Sequence, residues 1–248
     1  MRRYSLEEKH LNLLEKLIIL EEQNFHHICE VCRNKKGSKF EVLIKSKAYL
    51  VEITNIFKKK ATAVILEERE IVALKKPFLH LVLSMPKFSV FESILEKSVE
   101  MGISEIHLLS TTNSFVKSAS KISVGKYHRW QKIMSGAMSQ SARSSPLIIH
   151  PLSSREEVVS RLKQQAIPGI VAYVNATKTF SSVISPLKTP VQESLAMYIG
   201  SEGGFTQQDI NFFRSQNILD FSLGEQVLKV ETACLFLISL VKYQLQGL

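Results

Sequence analysis

The stretch that most constrains the fold runs from Leu195 to Ala233. It reads Leu-Ala-Met-Tyr-Ile-Gly-Ser-Glu-Gly-Gly-Phe-Thr, then a helical segment, then Leu-Asp-Phe-Ser-Leu-Gly-Glu-Gln-Val-Leu-Lys-Val-Glu-Thr-Ala. Two short apolar strands each end in a glycine-bearing loop, and each loop runs into the start of a helix. In an open α/β sheet ligands bind outside the carboxyl ends of the strands, where glycine lets the main chain come close and helix N-termini present free N–H groups. Both loops are therefore expected to line one pocket. The first strand of the α/β part, about Phe78 to Met85, is followed by Pro86-Lys87-Phe88 with no glycine fingerprint. That disfavours a dinucleotide fold of the Rossmann kind.

Upstream, strand Phe78–Met85, helix Phe88–Met101, strand Ile106–Leu109, helix Lys126–Gln140, a short strand at Leu147–Ile149, helix Arg155–Gln165 and strand Ile170–Val174 alternate. Alternation of this kind implies a mostly parallel sheet covered by helices on both faces. Thr206 and Asp209 stand three apart at the start of the next helix, close to a capping box, and Gly102 closes the helix that carries Lys97 and Glu100. The last helix, Thr232–Leu245, is apolar nearly all round over its first half and must be enclosed, by threading into the core or by a second subunit. The pair Val227-Leu228 in the second loop should be buried by the protein or by a flat ligand.

Residues 1–74 have a different texture. Lys39–Lys45, Tyr49–Thr54 and Ala61–Glu67 are short, β-branched and partly alternating, which predicts a small β-barrel with one helix at about Phe25–Arg33. The charged passage Glu67–Lys76 ending in Pro77 marks the linker, giving domains 1–74 and 75–248.

Of the net charge of +9, residues 1–74 hold +3, 75–145 hold +6 and 146–248 hold none. A basic middle third beside a neutral pocket suits a polyanionic partner presented to a small-molecule site, although a solvated surface has the same composition. No apolar run reaches the length of a membrane span and the start lacks a signal core, so the chain is read as cytoplasmic with no membrane partner. Cys29 and Cys32 form a C-x-x-C after His26-His27. They read either as metal or redox ligands or as the inward face of a helix, and the second reading is preferred because no second Cys/His pair has finger spacing. Cys234 and Trp130 are read as packing. His80, His107, His128 and His150 have no carboxylate or cysteine at a telling spacing and are given no chemistry, so no metal is expected.

Taken in order, Met1-Arg-Arg-Tyr, His27–Arg33, Glu96–Gly102, Arg129–Ile133, Gln140-Ser-Ala-Arg143, Ile199–Phe205 and Leu223–Ala233 closely resemble the RsmE family, bacterial methyltransferases of N(3) of a uridine in 16S ribosomal RNA. The resemblance implies a PUA-like N-terminal domain and a C-terminal SPOUT domain with a trefoil knot, acting as a homodimer on the small ribosomal subunit and not on DNA. It implies S-adenosylmethionine bound by Val174, Asn175, Ile199, Gly200, Ser201, Gly203, Gly204, Ser222, Leu223, Gly224, Val227, Leu228, Lys229, Thr232 and Ala233. RNA contacts are assigned to Arg2, Arg3, Arg33, Lys87, Lys117, Arg129, Lys132 and Gln140. Arg143 is the candidate for orienting the base or stabilising its anion, and Glu202 for accepting the proton. The chain departs from the family pattern at Ser201 (usually Pro), Glu225-Gln226 (usually Pro-Arg), Lys229 (usually Arg) and Asn113 (usually Arg). Lys229 keeps charge without the planar fork of arginine. The alternative reading is a non-catalytic ribosome-binding or assembly protein that keeps the fold.

Overall fold

The structure, a computed structural model, describes residues 2–71, 74–141, 143, 145–189 and 192–246. It divides into two compact units: 1–73 with 135–146, and 74–134 with 147–248. The segment 135–146, which the sequence places inside the larger domain, groups with the smaller unit.

In chain order the smaller unit contains β1 (Arg3–Ser5), β2 (Leu11–Asn12), β3 (Leu17–Glu21), α1 (Glu22–Phe25), β4 (Lys39–Ile44), β5 (Lys47–Phe57) and β6 (Lys60–Glu70). The strands form one sheet in the order β1-β4-β5-β6-β3-β2, with β1 parallel to β4 and the other pairs antiparallel. Ile18 and Leu20 of β3 alternate inward to meet Phe40, Val42, Val51 and Ile53, and Phe25 and Ile28 pack on the same core. The Leu11–Leu20 run, to which the sequence pattern assigns no element, therefore supplies two strands. Its pattern is hidden because Leu13 and Leu14 stand in the turn between them, exposed. After α1 the helix widens over His26–Val31, and Cys32 N donates to His27 O. Cys29 and Cys32 pack against the core, which is the packing reading of the C-x-x-C; burial pushes the Cys29 thiol up.

The larger unit is built on β7 (Phe78–Ser84), α2 (Phe88–Glu100), β8 (Glu105–Ser110), the part of α3 (Val124–Ser141) up to residue 134, β9 (Ile148–Ser154), α4 (Arg155–Gln164), β10 (Gly169–Ala172), α5 (Phe180–Ile184), β11 (Ser194–Ile199), α6 (Gln207–Ser215), β12 (Leu219–Phe221) and α7 (Val230–Gln246). The sheet order is β12-β10-β11-β7-β8-β9 and every pairing is parallel. Central β7 and β11 are buried on both faces, which is why they read as unbroken apolar runs rather than alternating ones. One face packs Val158, Val159 and Leu162 of α4 and Ile210 and Phe213 of α6 over Val82, Leu109, Val171 and Tyr198. On α2, Phe91 packs against the fully buried Trp130 at a centroid distance of 4.6 Å. α7 packs on α2 and β11.

The chain moves outward from β7 to β9, crosses to β10, and returns with β11 between β10 and β7. This reversal leaves a crevice at the carboxyl ends of β10, β11 and β12.

Candidate active site

The first glycine loop leaves β11 at Ile199 and enters α6. Gly204 N donates to Ser201 O at 2.8 Å, so the loop closes on itself as a tight turn. That turn needs glycine twice. Gly204 sits at φ +66°, and a Cβ at Gly200 would lie 2.8 Å from the Gly204 Cα and carbonyl carbon. The expected capping box is present: Thr206 Oγ1 accepts from Asp209 N and Asp209 Oδ2 accepts from Thr206 N. Asp209 also accepts from Arg155 Nη1 at 2.8 Å, which fixes α6 to α4.

A neighbouring loop holds the turn from outside. Ser201 Oγ donates to Asn113 O at 2.6 Å, and Asn113 Nδ2 donates to Gly203 O at 2.8 Å and Gly204 O at 3.2 Å. Two of the departures from the family pattern are thus bonded to one another's loops. Behind them, Ser84, Thr111 and Ser114 form a buried hydroxyl network.

The second glycine loop follows β12. Ser222 Oγ donates to Gly224 O and accepts from Gly224 N, and Gly224 takes φ +131°. Together the two loops and the end of β10 enclose a pocket of about 600 Å³, counting the space at its open mouth. Its lining comprises Ala172, Tyr173, Val174, Ile199, Gly200, Ser201, Gly204, Phe205, Ser222, Leu223, Gly224, Gln226, Leu228, Val230 and Ala233.

Ten residues assigned from sequence line it: Val174, Ile199, Gly200, Ser201, Gly204, Ser222, Leu223, Gly224, Leu228 and Ala233. Asn175, Gly203, Val227, Lys229 and Thr232 are not among the lining residues. Asn175 instead donates to the Tyr173 hydroxyl, and Gly203 backs onto Asn113. The pair Val227-Leu228, expected to be buried by the protein or by a flat ligand, is divided: Leu228 is half-buried and lines the pocket, whereas Val227 is 81% exposed. Neighbours on such a loop point in opposite directions. Tyr173, Phe205, Gln226 and Val230 line the pocket although the sequence does not assign them to it; the aromatic pair reads as core, and Gln226 stands out in sequence only as a departure from the family pattern.

Glu202 is exposed, and its Oε1 accepts from the Lys87 backbone N–H at the start of α2. Arg143 belongs to the smaller unit, where it is buried and Nε donates to Ser145 O; burial pushes its guanidinium down to about 10, still charged at neutral pH. Among the residues assigned to RNA, Arg33, Lys87, Lys117 and Lys132 are exposed. Arg129 pairs with Glu92 at 2.8 Å. Arg2 donates to Cys32 O. Arg3 is tied inside the smaller unit, to Glu41 and to the Gln140 carbonyl.

The histidines differ most from the sequence reading, which gives them no partner. His80, Glu105, His107 and His150 meet on one face of β7, β8 and β9. Their register sets His80 opposite Glu105 and His107 opposite His150.

A family model described as RNA methyltransferase domain matches residues 74–242, and one described as RNA methyltransferase PUA domain matches residues 20–66. The chain is 27% identical to the ribosomal RNA small subunit methyltransferase E of Bacillus subtilis, over 90% of this chain and 88% of that one. It is 27% identical to the Helicobacter pylori protein of the same name, over 92% and 95% of the two chains. Among solved structures, the ribosomal RNA small subunit methyltransferase E of Neisseria gonorrhoeae, bound to S-adenosyl methionine, superposes with a TM-score of 0.79 at 23% identity. That match covers 98% of this chain and 97% of the other.

Proposed function

The chain belongs to the RNA methyltransferase family, and we propose that it transfers a methyl group from S-adenosylmethionine to N(3) of a uridine in 16S ribosomal RNA of the small subunit. The observation that carries this reading is the two-loop pocket at the carboxyl ends of β10, β11 and β12. Its residues fit the cofactor. Ile199, Leu223, Leu228 and Phe205 offer apolar walls to a flat purine, and the glycines at 200, 204 and 224 bring main chain to the ligand surface where a side chain would intrude. The bound cofactor supplies an activated methyl on a sulfonium; no further activation of the donor is required of the protein.

The protein's share is alignment and charge. Glu202 is the proton acceptor in this reading: Oε1 is held by the Lys87 amide, and Oε2 is assigned to the uracil imide proton. Arg143, charged and desolvated, is assigned to the carbonyl oxygens onto which negative charge moves, where a fixed cation is worth more than in water. The exposed cations Arg33, Lys87, Lys117 and Lys132, with Arg2 and Arg129, are assigned to phosphates. The same reading threads α7 through the glycine loops as a trefoil knot and pairs two copies of the chain. Phe236 and Tyr243, seven residues apart on α7 and 42% and 63% exposed, support the pairing.

Two measurements test the proposal. Mapping methylated uridines in 16S RNA from cells lacking the protein should reveal one N(3) methyl lost and regained on complementation; an unchanged map refutes the activity. Calorimetry with no S-adenosylmethionine binding would favour the non-catalytic alternative. Arg143→Ala should depress single-turnover transfer at saturating RNA about 10²-fold or more, the scale of losing one transition-state donor, and an unchanged rate removes its role.

A further inference from the structure

At the opposite end of the larger sheet from the pocket, the amino-terminal side of β7, β8 and β9, lies a second constellation. His80 Nδ1 and His107 Nε2 are 3.1 Å apart. Glu105 Oε2 is 3.6 Å from the first and 3.5 Å from the second. His150 Nε2 reaches the same oxygen at 2.6 Å and stacks on His107 with ring centroids 4.2 Å apart and planes 4° apart. His80 and His107 are 4% and 0% exposed.

We infer that His80, His107 and Glu105 form a binding site for a divalent transition metal of the zinc class, with His150 holding the carboxylate ligand in place. Three distances carry the inference. A triangle with sides of 3.1, 3.5 and 3.6 Å has its centre about 2.0 Å from every corner. That matches the bond lengths of zinc to imidazole nitrogen and carboxylate oxygen, about 2.0–2.2 Å. Two histidines and one carboxylate are a known donor set for this ion, with a further position left for water or a fourth ligand.

Protons point the same way. Two imidazole nitrogens 3.1 Å apart can share one hydrogen at most, whereas both can offer lone pairs to one cation. Arg161 on α4 adds positive charge toward His107. With one carboxylate and two imidazoles the site suits zinc, cobalt or nickel rather than magnesium or calcium, which need more oxygen ligands.

The register makes the site a clip. Glu105 and His107 are two apart on β8 and so share a face, while His80 comes from β7 and His150 from β9. A metal there would tie β7 to β8 directly and β9 through His150, without touching the methyl-transfer pocket. Its binding does not depend on the proposed reaction.

The test uses full-length, tag-free protein purified without chelators, with Zn²⁺ and Co²⁺ as probes. Calorimetry and elemental analysis should give one Zn²⁺ per chain, and Co²⁺ should give visible d–d bands without a near-ultraviolet thiolate band. Zinc at 100 times its Kd should raise the Tm by roughly 5–10 °C. Glu105→Gln and His80→Gln should each weaken zinc at least tenfold while circular dichroism stays that of the wild type, and His150→Gln should weaken it about 10–100-fold. The double variant Cys29→Ser/Cys32→Ser should bind as the wild type does. Less than 0.1 equivalent bound by the wild type would overturn the inference. So would affinity unchanged in Glu105→Gln and His80→Gln, or a thiolate band that disappears with the two cysteines.

Discussion

Replacing Gly200 with alanine isolates the contribution of one backbone approach to the pocket. A methyl at this position would lie 2.8 Å from both the Cα and the carbonyl carbon of Gly204 and 3.0 Å from Phe205 N. Ordinary carbon–carbon contact is about 3.5 Å or more, so the turn has to open by about 0.7 Å. The atoms in the way are main chain, held by the Gly204 N to Ser201 O bond, and cannot rotate aside. Overpacking of this kind costs about 1–3 kcal/mol. Because Ile199, Gly200, Ser201 and Gly204 all line the pocket, the displacement enters the cofactor site directly. If the strain is expressed in binding, S-adenosylmethionine affinity falls about 5- to 150-fold. If it is expressed in folding, the Tm falls about 2–12 °C. Calorimetry and thermal melts separate the two. Gly204→Ala provides one control for stability: its Cβ meets no protein atom within 4 Å, but φ is +66°, so in the ligand-free protein only a conformational cost of about 1–2 kcal/mol applies. Gly136→Ala on α3 provides another, since it too meets nothing and should be neutral or stabilising by about 0.5–1 kcal/mol. The reasoning is refuted if Gly200→Ala binds within twofold and melts within about 1 °C of the wild type.

Two further perturbations read other parts of the molecule. Ser201→Ala and Asn113→Ala should each cost about 1 kcal/mol in stability or cofactor affinity, and together should depart from additivity by at least about 0.5 kcal/mol; strict additivity would mean that the two side chains do not hold one loop. Burial raises the carboxyl of Glu41 but Arg3 and Arg69 outweigh it and leave the group lowered, so its stabilisation is complete above the ordinary carboxylate value of about 4.3 and is lost as pH falls through the lower folded value. Glu41→Gln should therefore cost about 1–3 kcal/mol at pH 7, with the gap to the wild type closing in acid; a pH-independent gap in chemical denaturation would contradict this.

The parts legible in the sequence are those whose physics is local. Central strands β7 and β11 are covered on both faces, so each is a continuous apolar run, and β11 is punctuated by the glycine turn and the capping pair that open α6. The pocket could be placed because positive φ restricts residue choice at Gly204 and Gly224, and close backbone approach restricts it at Gly200. The features that escape are assembled by register or concealed by ambiguous chemistry. Tyr173 and Phe205 line the pocket with faces that could equally be core. Leu13 and Leu14 put apolar residues into a turn and so erase the alternation that would have announced β3. The histidine cluster is least accessible. Residues 80, 105, 107 and 150 come together only through the parallel pairing of three strands, and no spacing along the chain encodes which residue of one strand stands beside which of the next. Arg3 illustrates the converse: its charge suggests phosphate, while the sheet supplies Glu41.

The departures from the family pattern also take on a different meaning in three dimensions. Read along the chain, Asn113 and Ser201 are independent losses, one of an arginine and one of a rigid proline. In the fold they are one connection. The hydroxyl gained at 201 donates to the carbonyl of residue 113, and the amide gained at 113 returns two bonds to the carbonyls of 203 and 204. A proline at 201 restricts the loop through its own φ, whereas this pair restricts it through a neighbour. The amide at 113 carries no charge, so its substitute role is positional: the loop geometry is kept by hydrogen bonds while the cation is not. In the proposed reaction, charge stabilisation then falls to Arg143 without an arginine at 113. It follows that Asn113→Arg alone should not recover the family arrangement. The longer side chain would lose the bonds to Gly203 and Gly204. Only the paired change Asn113→Arg with Ser201→Pro substitutes one complete way of holding the turn for the other.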